Sequence, residues 1–210
     1  MTLQIINIKN NPVDSNCFLL FDKTINNKCL IIDPGCKVPS LLEEHLTAGE
    51  LTPEFIVLTH EHFDHIWGCN YLYEKFHIIT LGSALCAENI KSPKYNCSRY
   101  YEYPGFETHI NIKIIEDNST LYWNSYKITF FITKGHSDAS ICFTIGHLLF
   151  TGDTLIENLR TVTNILSGSP LKLESSRLLL ESLKGNGYTV CPGHGECFQL
   201  DEYELRQMIK

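Results

Sequence analysis

The stretch Thr59-His60-Glu61-His62-Phe63-Asp64-His65 decides both the fold and the chemistry of this chain. It places three histidines and one aspartate within six positions, directly after the apolar run Phe55 to Leu58, which we predict to be a buried strand. In extended backbone, residues i and i+2 point the same way, so His60 and His62 are expected to bind one ion together. The chain must then turn into a helix at Asp64 and His65, which aims this second pair at a neighbouring point. The spacing therefore predicts two metal ions side by side.

Three further ligand candidates follow later strand-like runs, and each stands beside a glycine that lets the backbone turn sharply. They are His136, Asp153 and His194. With the first motif they make five histidines and two aspartates. A two-metal site needs three protein ligands for each ion, a bridging carboxylate and a shared water. Seven residues meet that requirement.

The composition sets the class of protein. The chain has 210 residues, with 17 basic and 24 acidic side chains, a net charge of −7, and 43% apolar residues. These values are typical of a globular protein, and we expect a single domain over residues 1–210. The basic residues form no block, no apolar run has the length of a bilayer span, and no basic leader precedes an apolar stretch. We therefore expect a cytoplasmic protein with no nucleic-acid or membrane partner. Its nine cysteines are interpreted as reduced thiols.

Short strands and helices alternate along the chain, which indicates an α/β or mixed class. Helices are predicted over Pro39 to Leu46, from near His65 to Lys75, near Ser83 to Ile90 and from Pro170 to Lys184, with a short amphipathic helix at the end of the chain. Strands are predicted at Leu3–Lys9, Asn16–Phe21, Lys28–Ile32, Phe55–Leu58, Asn111–Ile115, Tyr126–Thr133, Ser140–Ile145, Leu148–Thr151 and Tyr188–Cys191. The segment from Leu81 to Glu107 is predicted to be mostly a long loop.

On these motifs the sequence resembles the metallo-β-lactamase superfamily, and within it the small glyoxalase II-like (hydroxyacylglutathione hydrolase-like) proteins. The family motif H-x-H-x-D-H is matched by His60, His62, Asp64 and His65. Its later ligands are matched by His136, Asp153 and His194. Secondary matches are Ile32-Asp33-Pro34-Gly35 and Phe150-Thr151-Gly152-Asp153-Thr154-Leu155.

The resemblance implies a four-layer αβ/βα sandwich in which two mixed β-sheets are flanked by helices and metals lie at one edge between the sheets. It implies that His60, His62 and His136 hold one ion, that Asp64, His65 and His194 hold the other, and that Asp153 bridges them. The ions are expected to be zinc, with iron or manganese as alternatives. The expected activity is hydrolysis of a small-molecule thioester, ester or lactone by a metal-activated hydroxide, with Asp64 as a proton acceptor.

Departures from the family pattern narrow the range of expected substrates. Only 16 residues follow His194, whereas glyoxalase II enzymes continue into a helical region that binds glutathione. Asp153 stands where the true β-lactamases usually have cysteine, which argues against β-lactam hydrolysis. The segment Glu157 to Ser169 departs from the family near the site. Within it, Arg160 is a candidate for binding a substrate carboxylate, and a plain salt bridge is the alternative.

Other functions stay open on sequence alone. Persulfide dioxygenases share most of these residues but use one iron, and a non-catalytic ligand-binding protein is a second alternative. A small zinc knuckle built from Cys191, His194 and Cys197 is a rival use of the last motif. Asp33 is expected to orient a ligand histidine, and Glu61 and Phe63 to turn away from the metals and pack. The native substrate and the oligomeric state are not specified by the sequence.

Overall fold

The computed structural model describes residues 2–209. By its internal contacts the chain divides into two compact units, with the boundary between Ile114 and Ile115. Each unit has its own six-stranded sheet. The two units are described in turn.

The first unit contains a mixed sheet with the strand order β1-β2-β3-β4-β5-β6. The first three strands are antiparallel neighbours, and β3 to β6 are parallel neighbours. Both β2 and β3 are apolar and almost fully buried, which is the pattern expected of central strands. The strands are Gln4–Lys9, Asn16–Phe21, Lys28–Ile32, Thr52–Val57, Ile79–Gly82 and Ile112–Ile114.

Five helices belong to this unit: α1 Ser40–Ala48, α2 Phe63–Ile66, α3 Cys69–Phe76, α4 Ala84–Asn89 and α5 Ser98–Tyr101. In α1, Leu42 and Leu46 are one turn apart and both are buried. The single helix expected near His65 to Lys75 is in fact two. The break falls at Gly68, whose N–H donates to the Pro34 carbonyl at 2.8 Å. A β-carbon at that position would lie 2.7 Å from the Cys36 carbonyl oxygen, so the close approach of this loop requires glycine.

The second unit contains a mixed sheet with the order β12-β11-β10-β9-β8-β7. Only β10 and β11 are parallel within it, and the other described neighbours are antiparallel. The strands are Thr120–Trp123, Tyr126–Ile132, Ile141–Ile145, Leu148–Gly152, Thr189–Pro192 and Phe198–Gln199. The sequence analysis missed β7 and β12, which are only four and two residues long.

One long helix, α6 (Pro170–Ser182), supports this sheet. It begins where the Ser169 side chain accepts a hydrogen bond from the Lys172 N–H, with Pro170 in the first turn. Leu173 and Leu180 from its buried face join a core cluster with Leu149 and Val190. The chain end was expected to be an amphipathic α-helix, but it forms two 3-10 segments, Leu200–Glu202 and Leu205–Met208. Their apolar side chains Leu200, Leu205 and Met208 belong to the same core cluster.

The structure confirms the expectation of two mixed β-sheets with flanking helices. None of the helices within residues 2–209 combines the length and the apolar character needed to cross a lipid bilayer.

The turn after β3 depends on Gly35. A β-carbon there would lie 1.5 Å from the carbonyl oxygen of Asp64, well inside contact distance. We expect Gly35→Ala to lower the free energy of unfolding by about 2 kcal/mol or more, because the loop that carries Asp64 must move. Urea denaturation measures this. The matched control is Gly82→Ala, where the new methyl group would meet nothing closer than 3.4 Å. Equal stability of the two variants would contradict this account of the turn.

Candidate metal centre

In the first unit, the loop between β4 and α2 brings three imidazoles together. His60 and His62 have ring centroids 4.6 Å apart, and His60 and His65 have centroids 4.2 Å apart. All three side chains are at most 6% exposed. The three rings lie close together because of the local backbone. The chain leaves β4 in an extended conformation, which His62 keeps at the start of α2. The helix then brings His65 back toward His60.

The Asp33 carboxylate organises this loop. It lies at the end of β3, is 2% exposed, and has a positive φ of 50°. Its Oδ1 accepts from the Thr59 backbone N–H at 2.8 Å, and its Oδ2 accepts from the Thr59 hydroxyl at 2.6 Å. The same Oδ2 lies 3.0 Å from His65 Nδ1. The expected role of Asp33, to orient a ligand histidine, agrees with these contacts, and one ligand atom each of Asp33, His60 and His65 lie within 4.8 Å of one another.

These hydrogen bonds fix which nitrogen of each ring carries the proton. A carboxylate only accepts, so His65 Nδ1 donates to Asp33. Thr59 has a single hydroxyl proton, which goes to Asp33, so its oxygen accepts from His60 Nδ1 at 3.0 Å. In both neutral rings the lone pair is therefore on Nε2. That is the form in which histidine binds a metal ion.

Asp64 and two polar residues missed by the sequence analysis complete this group. Asp64 Oδ2 lies 3.6 Å from His65 Nε2. The buried Ser15 hydroxyl donates to the Asp64 carbonyl at 2.5 Å, and the Asn10 amide donates to both Ser15 Oγ and the Asp33 carbonyl. Ser15 and Asp64 are 49 positions apart, so no local pattern in the sequence could have revealed the link.

In the second unit, Asp153 lies beside two imidazoles. Its Oδ2 is 3.7 Å from His136 Nε2 and 3.6 Å from His194 Nε2. His136 Nδ1 lies 3.0 Å from the Val162 carbonyl, which can only accept, so this ring also carries its lone pair on Nε2. His136 and Asp153 are thus grouped with His194, although β9 separates β8, which precedes His136, from β10.

Glycines allow the close approach of these loops. Gly152 has a φ of 49° and its carbonyl accepts from the Gly193 N–H at 2.8 Å, which joins the Asp153 turn to the His194 turn. At Gly135, which has a φ of 146°, a β-carbon would lie 2.5 Å from Cα of Leu173 in α6. Larger residues at either position would displace the ligands that follow.

The remaining residues of the motif have structural partners. Glu61 is buried and its Oε1 accepts from the Asn89 amide at 3.0 Å. Phe63 stacks on Tyr101, which also contacts Trp67 edge to face, and Tyr101 and Trp67 border a small cavity of about 120 Å³. Tyr101 thus contributes both to the packing around Phe63 and to a cavity wall. Arg160 lies exposed in the loop after β10, and its proposed contact with a substrate stays a prediction.

Buried thiols are poor candidates for a covalent nucleophile. Burial raises the pKa of Cys29 and of Cys142 to about 12, and it raises the pKa of Cys69 and Cys86 well above the usual range. These groups are protonated at neutral pH and do not attack a carbonyl. The arrangement of imidazoles and carboxylates fits divalent metal ions instead. Nitrogen and carboxylate oxygen donors suit zinc, iron and manganese.

The family model described as "Metallo-beta-lactamase superfamily" matches residues 10–194, so this chain belongs to that superfamily. Superfamily members are mostly metal-dependent hydrolases that bind divalent metals. The two mixed sheets with flanking helices are the α/β sandwich fold of that superfamily.

The individual proteins that this chain resembles are only distantly similar to it in sequence. The chain is 25% identical to hydroxyacylglutathione hydrolase of Salmonella typhi over 90% of its own length, and it spans 66% of that enzyme. The crystal structure of BLEG-1 B3 metallo-β-lactamase superposes with a TM-score of 0.85 and 25% identity, covering 94% of both chains. The structure of TTHA1623 in a di-iron-bound form superposes with a TM-score of 0.80 and 23% identity, covering 93% of this chain and 94% of that one. Because the identity with TTHA1623 is below 25%, that similarity shows a common fold only.

The contact between Asp33 and His65 makes a specific prediction. Asp33→Asn keeps the size of the side chain but removes the charge that accepts the His65 proton. We expect Zn²⁺ affinity, measured by competition with a chelating dye, to fall about 10- to 100-fold. Asp14→Asn is the control, because Asp14 is exposed in the same unit. Unchanged affinity in a folded Asp33→Asn protein would show that Asp33 does not orient a metal ligand.

Proposed function

We propose that this protein is a metal-dependent hydrolase of thioesters or of esters and lactones. The observation that carries the proposal is the protonation pattern of the imidazoles. His60, His65 and His136 each donate through Nδ1 to a fixed oxygen, which leaves each neutral ring with its metal-binding lone pair on Nε2. Histidines that bind a metal typically donate their other ring N–H in this way.

We propose one functional domain, because the family match runs across both units. Two divalent ions would share the donors of the two groups. One ion would be held by His60, His62 and His136, the other by Asp64, His65 and His194, and Asp153 would bridge them. Zinc is the first candidate, with iron and manganese as alternatives that the same donors accept. When bound, such ions lower the pKa of a shared water and polarise a carbonyl oxygen.

The protein's own side chains would position and move protons. Asp33 and Thr59 hold the rings of His65 and His60 in one tautomer, so the site is organised before substrate arrives. Asp64 is half-buried, and its Oδ2 lies next to His65, where it would accept the proton of the attacking water as the tetrahedral intermediate collapses. No serine or cysteine nucleophile is required.

The proposed substrate class rests on the similarity to hydroxyacylglutathione hydrolase and on Arg160 in the exposed loop after β10. The 25% identity with hydroxyacylglutathione hydrolase favours a thioester or a related ester. Arg160 would bind a substrate carboxylate through its guanidinium fork. The partner is thus a small molecule.

Metal content is the first test of this proposal. Protein purified without chelator or added metal should contain about two zinc ions per chain by elemental analysis. It should then hydrolyse at least one member of a panel of thioesters, esters and lactones, and lose that activity on treatment with a chelator. A single iron together with oxygen uptake on glutathione persulfide would contradict the hydrolase and indicate a dioxygenase. Tight metal binding with no turnover on the panel would indicate a ligand-binding protein.

Ligand variants give the second test. His62→Ala and Asp153→Ala should each lower kcat/KM about 1,000-fold or more, because each removes a donor needed to bind or position an ion. Circular dichroism should show that both variants fold. His147→Ala is the matched control, since His147 is exposed in the turn between β9 and β10 and matches no motif. Full activity in either ligand variant would refute the assignment of that residue.

A further inference from the structure

Two cysteines flank the loop that carries His194. The sequence from Cys191 to Cys197 is Cys-Pro-Gly-His-Gly-Glu-Cys, so the thiols enclose five residues. Cys191 belongs to β11, and Cys197 directly precedes β12. These two strands are antiparallel, with Thr189 opposite Gln199 and Val190 opposite Phe198. The next step of the same register places Cys191 opposite Cys197.

This position suits a disulfide. Directly opposed residues of an antiparallel pair have Cα atoms about 4.5–5.5 Å apart and side chains on the same face. A disulfide accepts Cα separations of about 4.4–6.8 Å. A side-chain hydrogen bond with Cys197 is the largest cause that raises the pKa of Cys191, which places the two thiols side by side. Among the described residues no disulfide is present, so both thiols are available for oxidation.

The two thiols differ in their environment. Cys191 is 1% exposed, and its hydrogen bond with Cys197, together with burial, raises its pKa far above the usual range. Cys197 is exposed to solvent. An oxidant therefore meets Cys197 first. Cys191, although protonated, lies beside it as the thiol with which a sulfenic acid condenses.

We propose that Cys191 and Cys197 form a redox-active pair that a hydroperoxide converts reversibly into a disulfide. The hydroperoxide transfers one oxygen atom to the Cys197 sulfur and leaves as an alcohol or as water, which gives a sulfenic acid. The Cys191 sulfur then attacks that sulfur. The S–S bond forms, the S–O bond breaks, and the hydroxyl group leaves as water with the Cys191 proton. The two thiols supply the two electrons that reduce the peroxide bond.

The pair is linked to His194 through the loop geometry, a link that rests on the proposed function. Oxidation must draw the two sulfurs from hydrogen-bonding distance to about 2.05 Å. The intervening loop is anchored by the Gly193 N–H to the Gly152 carbonyl, and His194 Nε2 lies 3.6 Å from Asp153 Oδ2. The strand register already allows the bond, so the loop ends need to move little, but a shift of about 1 Å is enough to take His194 out of its position beside Asp153. Hydrolysis is thereby switched off in the oxidised state.

Thiol mapping of the full chain tests the pair itself. The protein is treated with hydrogen peroxide, remaining thiols are alkylated under denaturing conditions, and peptides are identified by mass spectrometry. We expect one cross-linked peptide joining Cys191 to Cys197, with a loss of two hydrogen atoms that dithiothreitol reverses. Cys197→Ser should abolish the cross-link. Cys97→Ser, which alters another partly exposed thiol, should leave it intact. Oxidation of Cys197 to the sulfinic acid, while Cys191 stays open to alkylation, would overturn the proposal.

Turnover tests the link to His194. Peroxide should lower the turnover of the wild-type protein about tenfold or more, and dithiothreitol should restore it. The Cys197→Ser protein should keep its activity under the same treatment. Equal losses in the two proteins, or full turnover with the disulfide formed, would overturn the regulatory role. The mapping needs neither metal nor substrate, so a chain that forms the disulfide but hydrolyses no ester refutes only the proposed hydrolase.

Discussion

The candidate metal centre depends on one buried carboxylate. Asp33 accepts hydrogen bonds from the backbone N–H and the hydroxyl of Thr59 and from the Nδ1 proton of His65. A buried charge of this kind is tolerated only because donors surround it, and each of these donors belongs to the histidine-rich loop or directly precedes it. The carboxylate thus ties the end of β3 to the loop after β4. The orientation of the loop histidines follows from this tie.

In the second unit a histidine is oriented in the same way, but by a different hydrogen-bond acceptor. There the Val162 carbonyl, rather than a carboxylate, fixes His136 by accepting from Nδ1. Backbone and side-chain acceptors are equivalent for this purpose because either one leaves the lone pair on Nε2. In a centre of this kind the ligand atoms determine which ion binds, and the groups that hydrogen-bond to the ligands keep them in position. This explains why buried polar residues such as Asn10 and Ser15, which bind no metal in the proposal, are part of the structure around the site.

In both units the candidate metal ligands lie on loops or directly beside them. Loops are mobile unless their backbone groups are paired, and a metal site requires ligand positions fixed within a fraction of an ångström. Here the turns are tied by direct contacts between backbones, as between Gly193 and Gly152, and at Gly35 against Asp64. The thiols of Cys191 and Cys197 lie at the two ends of one such turn, so a chemical change there reaches a ligand through a short stretch of chain. Reduced thiols also fit the buried state of most other cysteines.

The elements that rely on local pattern were predictable from the sequence. The apolar runs predicted β2, β3 and β4, the proline and glycine signals predicted α6, and the spacing of His60, His62, Asp64 and His65 predicted a metal-binding loop. The predictions of secondary structure are confirmed because periodicity and residue type act within a few positions, and the metal-binding role of the loop stays a prediction. The strands β7 and β12 pair with their neighbours along the chain but are too short for their residues to show a periodic pattern. The break at Gly68 depends on contacts with Pro34 and Cys36, which are distant in the sequence. The tertiary structure was needed to show which nitrogen His65 and His136 present, because Asp33 and Val162 lie 32 and 26 positions from the histidines they orient.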